Sequence, residues 1–153
     1  MNVLFLDVDG VLNSLEFYER LRAKYNYDGA WQNGLLDQEC VMRLYKIVKS
    51  TQACIVMTSS WRTNPAQMTK IVNQLRAYDL EIYGITEING LSRGQQILNW
   101  VRAMKANNYV VLDDDDDVVD MDMFRHWIQT DYTCGLSDSD VCMAIHILEA
   151  NIK

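Results

Sequence analysis

Val3-Leu4-Phe5-Leu6-Asp7-Val8-Asp9-Gly10-Val11-Leu12-Asn13 joins a wholly apolar run to two aspartates and a glycine. Four consecutive apolar residues without helical spacing read as a strand buried on both faces, the kind found inside a parallel sheet. Asp7 and Asp9 then stand at the carboxyl end of that strand, where open α/β sheets bind ligands. In extended backbone, residues two apart point the same way, so both carboxylates can converge on one reacting group. Gly10 lets the chain leave the strand without a side-chain clash. Taken alone, the same string also fits a solvated turn after an edge strand.

Similar runs recur at Ala53 to Met57, Glu81 to Ile85 and Tyr109 to Leu112, with a shorter one near Tyr132 to Cys134. Segments of helical period lie between them, opened by capping signals. Asp37 precedes Val41, Leu44 and Val48, with Leu36 and Val41 spaced as a hydrophobic staple. Asn64-Pro65 reads as a cap followed by proline at the first helical position. Ser92 with Gln95 forms a capping box, and Ser137 with Asp140 a looser version of it, before the last two apolar stripes. This alternation predicts an α/β fold of three layers, a five-stranded, mainly parallel sheet with helices on both faces. No repeat, Pro/Gly-rich linker or composition shift interrupts residues 1–153, which read as a single domain.

Nearly half of the residues are apolar, enough for a core without disulfide support. Cys40, Cys54, Cys134 and Cys142 stand singly in expected helices and strands, without metal spacing, and read as reduced core thiols. No basic segment precedes a long apolar run, so a soluble cytoplasmic protein with no membrane partner is expected. The net charge of -7 argues against a broad basic surface for nucleic acid, although much of the acidity is concentrated in Asp113 to Asp117, Asp120 and Asp122. His126 and His146 read as ordinary helix residues.

The Tyr109 to Leu112 strand also ends in aspartates, Asp113-Asp114. If it neighbours the first strand, the acids meet and resist joint ionisation unless a cation lies between them. Oxygen ligands without His or Cys select a hard ion, and a site that must also hold phosphate and water favours Mg²⁺ over a caged Ca²⁺. A solvated acidic loop is the plainer account of this run; an EF-hand is disfavoured because its Gly and distal Glu are missing. Thr58-Ser59-Ser60-Trp61-Arg62 follows the second strand with hydroxyls and backbone N–H groups suited to phosphate oxygens, though hydroxyls are also common in turns. Arg93 opens a helix, where a cation is unfavourable unless an anion such as phosphate joins it, or its head turns to solvent.

In order, these features resemble the four motifs of the haloacid dehalogenase superfamily. The strings DVDGVLN, MTSSWR, Ser92-Arg93-Gly94, YVVLDDDDD and CGLSDSDV are similar, more narrowly, to the small domain of Swiss Army Knife RNA repair proteins. The resemblance implies a Mg²⁺-dependent phosphatase in which Asp7 attacks phosphorus and Asp9 protonates the leaving oxygen, then activates water. It implies Mg²⁺ held by Asp7, the Asp9 carbonyl and Asp113, with Asp114 or Asp117 assisting. It also implies Thr58 or Ser59 on the phosphoryl group and Arg93 stabilising its charge. The superfamily more often has lysine at the Arg93 position, so Arg62 can share that role, and the aspartate run leaves the fourth motif ambiguous in register.

The stretches where relatives insert caps are consumed here by expected helices, so an open site with a minimal or absent cap follows. Such a site suits a nucleic-acid end, a nucleotide or another small phosphomonoester. Asn13, Tyr18, Trp31, Trp61 and Arg62 can offer stacking or polar contacts to a nucleotide, although aromatics at helical spacing are more often core. Two other classes remain: a receiver-type domain accepting phosphate from a kinase, and a noncatalytic interaction module retaining the fold.

Overall fold

A computed structural model describes residues 1–106, 108–116 and 121–150; Asp117 and Asp120 lie outside them. Five strands, β1 (Asn2–Leu6), β2 (Cys54–Met57), β3 (Ile82–Ile85), β4 (Asn108–Asp113) and β5 (Trp127–Gln129), form one parallel sheet in the order β3-β2-β1-β4-β5. The opening stretch of the sequence is therefore the central strand. Its apolar residues cannot alternate with polar ones, because both faces of a parallel sheet are covered.

Alternate residues of the strands feed two separate cores. Leu4 and Leu6 join Ile55, Met57, Val110 and Leu112 under α2 (Gln38–Thr51), α3 (Pro65–Arg76) and α5 (Asp138–Glu149). Val3 and Phe5 join Val56, Tyr109 and Val111 on the other face, covered by α4 (Arg93–Met104) and a 3-10 turn over Met121–His126. Phe5 meets Trp100 and Tyr109 edge to face, with ring centroids 5.5 and 6.0 Å apart. The layers are those of a Rossmann-like α/β fold.

The helix starts follow the capping chemistry. Asp37 accepts from the Glu39 N–H, and Asn64 accepts from the Ala66 and Gln67 N–H groups ahead of Pro65. Ser92 with Gln95, and Ser137 with Asp140, form complete capping boxes. A further helix, α1 (Leu15–Tyr25), carries no buried residue and hence no apolar stripe to betray it, although Ser14 caps it by accepting from the Phe17 N–H.

Two sequence expectations are corrected. Tyr132 to Cys134 is not a strand but a turn: the Asp131 carboxylate accepts from the Thr133 N–H at 2.8 Å, and the Gly135 N–H closes onto the Asp131 carbonyl at 2.7 Å. A local aspartate turn overrides the β preference of Tyr and Thr. The fifth strand is instead β5, three residues of which Ile128 alone is buried, too short to register as a periodic run. Among the cysteines, Cys40 is buried, whereas Cys134 and Cys142 are exposed; all four are free thiols. Of the histidines, His146 lies in α5, and His126 closes the 3-10 turn, stacked on Tyr109 with centroids 4.0 Å apart. No helix among the described residues is long and apolar enough to cross a membrane.

Candidate active site

Strand register brings the site together. Leu6 of β1 is level with Met57 of β2 and with Leu112 of β4, so the next residues, Asp7, Thr58 and Asp113, form a row across three adjacent strands. Backbone hydrogen bonds hold that row beyond the regular ladder: Asp7 N–H to the Leu112 carbonyl at 3.0 Å and Thr58 N–H to the Leu6 carbonyl at 2.9 Å. Each of these strands runs through apolar residues up to Leu6, Met57 or Leu112, and the polar residue that follows emerges at the same edge.

Asp7 and Asp113 are buried, Asp113 completely. Oxygens of Asp7, Asp113 and Asp114 lie within 4.8 Å of one another. Burial raises the Asp7 pKa first and Asp113 raises it further, against the lowering effects of Arg93, Ser59 and the Val8 N–H; the outcome is about 7. Burial likewise raises Asp113 and Asp114, with Arg93 opposing in both cases. Carboxylates crowded in this way are a poor arrangement for a protein alone and a good one for a hard cation. Among the described residues the donor set fits Mg²⁺: three carboxylates and no His or Cys.

Arg93 is the cation this chain itself supplies. From the first position of α4 its Nη1 donates to Asp113 Oδ2 at 2.5 Å and lies 3.6 Å from Asp7 Oδ1. Burial disfavours its charge, but Asp113 and Asp7 outweigh that and hold its pKa above the usual arginine value. The anions that offset its position at a helix start are therefore these aspartates.

Asp9 is held differently. Its Oδ1 accepts from Asn13 Nδ2 at 2.8 Å and Trp31 Nε1 at 3.2 Å, and its Oδ2 from Trp61 Nε1 at 2.7 Å. Asn13 is only 1% exposed, and its Oδ1 accepts from the Gly10 N–H, so its amide is engaged in positioning Asp9. The Asp9 carboxylate does not belong to the three-acid cluster. Tyr18 of α1 is half-buried, and that partial burial together with Asp9 pushes its pKa up.

Thr58 Oγ1 is buried without a partner among the described residues, as is Thr86 Oγ1 just after β3. Ser59, whose Oγ accepts from the Trp61 N–H at 3.4 Å, lies near enough to Asp7 to hold its pKa down. Arg62 is not aimed at the acids: Nη1 donates to the Thr58 and Ser59 carbonyls, Nε to the Thr86 carbonyl at 3.2 Å, and Nη2 to Gln96 Oε1 at 2.8 Å. It pins the loop after β2 to α4, and burial lowers its pKa. The cleft, about 450 Å³, is lined by Asp7, Asp9, Ser60, Arg93, Asp114 and Gln129, with Asp115 and Asp116 at its acidic side. Gln129 and the indole N–H contacts to Asp9 were not legible in the sequence, the first because β5 is so short, the second because they come from loops distant in the chain.

Gly10 has φ +71°, and a Cβ there would stand 2.5 Å from Asp114 Cγ. Gly10→Ala is expected to cost about 1–2 kcal/mol in backbone strain alone, and more as Asp114 is displaced. A urea unfolding curve superimposable on wild type would refute this packing.

In the cation-free protein, Asp7 carries the raised folded-state pKa of about 7 against 3.8 for the free side chain. The folded state thus binds the proton more tightly. Asp7's contribution to stability is full below pH 4 and lost as pH rises through about 7. Thermal unfolding in EDTA between pH 4 and 8.5 is expected to show this fall, and Asp7→Asn to flatten it; equal pH slopes in both proteins would contradict it.

A five-stranded parallel sheet with acids after β1 and β4, hydroxyls after β2 and a basic residue opening α4 defines a haloacid dehalogenase (HAD)-like domain. The family model described as "HAD domain in Swiss Army Knife RNA repair proteins" matches residues 3–141 of 153, and the chain belongs to that family. The matched span contains every site residue named above. No curated protein and no solved structure matches the chain.

Proposed function

We propose that this HAD domain is a phosphatase acting on phosphomonoesters, nucleic-acid ends or nucleotides among them, through a phosphorylated Asp7. The observation that carries the proposal is the row of Asp7, Asp113 and the unpartnered Thr58 hydroxyl, closed by Asp114 and Arg93. An Asp7 oxygen attacks phosphorus as the bond to the leaving-group oxygen breaks, and Asp9 gives that oxygen its proton. Water then attacks the same phosphorus, Asp9 accepts a proton from it, and the bond to Asp7 breaks, releasing inorganic phosphate. The Asn13, Trp31 and Trp61 donors fix the direction of the Asp9 carboxylate for both transfers. Thr58 and Ser59 donate to the phosphoryl oxygens, and Arg93 offsets their charge. Asp7, the Asp9 main-chain carbonyl, Asp113 and Asp114 would hold Mg²⁺, which supplies charge neutralisation for the phosphoryl group.

The test is phosphate release with and without Mg²⁺ from p-nitrophenyl phosphate, mononucleotides and 3′- or 5′-phosphorylated oligonucleotides. Mg²⁺-dependent turnover of at least one is expected. A single equivalent of phosphoryl transfer without turnover would favour a receiver-type acceptor instead, and no reaction with any substrate would favour a noncatalytic module.

A further inference from the structure

A second cavity, about 370 Å³, opens beside the reaction cleft and shares Asp9 and Ser60 with it. Its other walls are the indoles of Trp31 and Trp61, the amides of Gln32 and Gln67, and Thr63. Trp61 is 5% exposed and Trp31 55% exposed, so the Trp31 indole presents a face to the cavity. The Trp31 N–H is fixed on Asp9, which holds the indole at the cavity wall.

The position of this cavity has a chemical meaning, resting on the phosphatase reading above. A general acid must reach the leaving-group oxygen, so whatever is attached to that oxygen leaves the cleft past Asp9. The space it enters is the Trp31 cavity. Among the described residues its lining has no Lys or Arg, and its one charged group is Asp9 itself. A second phosphate placed within that space is therefore disfavoured. An uncharged planar group whose edge hydrogen-bonds amides is favoured, and an indole face is a stacking platform for it.

We propose that this cavity is a leaving-group subsite that takes the nucleobase of the phosphate-bearing nucleotide, stacked on Trp31. Trp31 thereby acts as a specificity residue as well as a support for Asp9. Substitution affects both roles, and a ratio separates them. For Trp31→Ala, kcat/KM for AMP relative to glycerol 2-phosphate is expected to fall roughly tenfold, since loss of the Asp9 contact acts on both substrates alike. Trp31→Phe, which keeps an aromatic face and loses the N–H, is expected to keep that ratio within about twofold.

A parallel arm with a phosphorylated oligonucleotide separates a free nucleotide from a polynucleotide end: the substrate whose ratio falls is the source of the base. Saturation-transfer NMR with adenosine supplies a readout free of catalysis, with binding expected in wild type and Trp31→Phe and weakened roughly tenfold in Trp31→Ala. Adenosine binding without phosphate release from any ester would leave the subsite standing and remove the phosphatase. Phosphate release with no adenosine binding and an unchanged ratio in Trp31→Ala would overturn the subsite and leave the phosphatase.

Discussion

Asp7→Asn is expected to abolish phosphate release, by about 10⁴-fold or more, and at the same time to stabilise the cation-free fold above pH 7. The two effects share one cause. As the nucleophile, Asp7 must present an anionic oxygen to phosphorus, yet it is buried beside Asp113, with a pKa raised to about 7 by that burial and then by its neighbour. Ionising it in the folded protein costs free energy that the unfolded chain does not pay. Asparagine removes the charge at nearly the same size, so the gain is absent below pH 4, grows between pH 4 and 7, and levels off at roughly 2–4 kcal/mol. Chemical denaturation at pH 5 and pH 8 reads the gain directly. Mg²⁺ is expected to narrow the difference, because a cation offsets in the wild type what the substitution removes.

Arg93 gives the opposite combination, with activity and stability both falling. Asp113 is completely buried, and the 2.5 Å contact to Arg93 is its strongest charge partner among the described residues. Arg93→Met keeps the aliphatic stem but leaves that carboxylate uncompensated, for which a loss of about 3–5 kcal/mol is expected. The loss is greatest above neutral pH and shrinks in acid, where Asp113 and Asp7 take up protons. Activity is expected to fall about 10²–10³-fold. Added Mg²⁺ that restores stability without restoring turnover would separate the charge-balancing role of Arg93 from its role toward the phosphoryl group. Unchanged stability at pH 8 would contradict the ion pair.

How much of this was legible in the sequence follows from the range of the interactions. Strands β1, β2 and β4 are readable because both faces of a parallel sheet demand apolar residues, the edge strand β3 only by its short apolar run, and the four helices over the sheet because their caps are local. Helix α1 escapes because it buries nothing, and β5 because three residues carry no period. Asp7, Asp9, Asp113, Thr58 and Arg93 are recognisable because each sits at the end of a strand or the start of a helix. The division of labour among their neighbours is not. Asn13 and Arg62 were expected to touch substrate, whereas Asn13 holds Asp9 and Arg62 ties together the Thr58, Ser59 and Thr86 carbonyls. Those partners lie on other elements, and only the assembled sheet brings them into reach. Trp31 and Trp61 read from the sequence as able to stack on a base or to fill core; that their N–H groups converge on Asp9 is a property of loop placement that residue type does not encode.

The central claim is that Asp7 forms a covalent bond to phosphorus. Acid-quenching a reaction with Mg²⁺ and substrate in the first turnovers, reducing with borohydride and sequencing the peptides by mass spectrometry tests it most directly, because borohydride converts an acyl phosphate to an alcohol. Homoserine at position 7, absent without substrate and absent in Asp7→Asn, is the expected result. Turnover with aspartate intact at position 7 at every quench time, or homoserine at position 113 instead, would contradict the account.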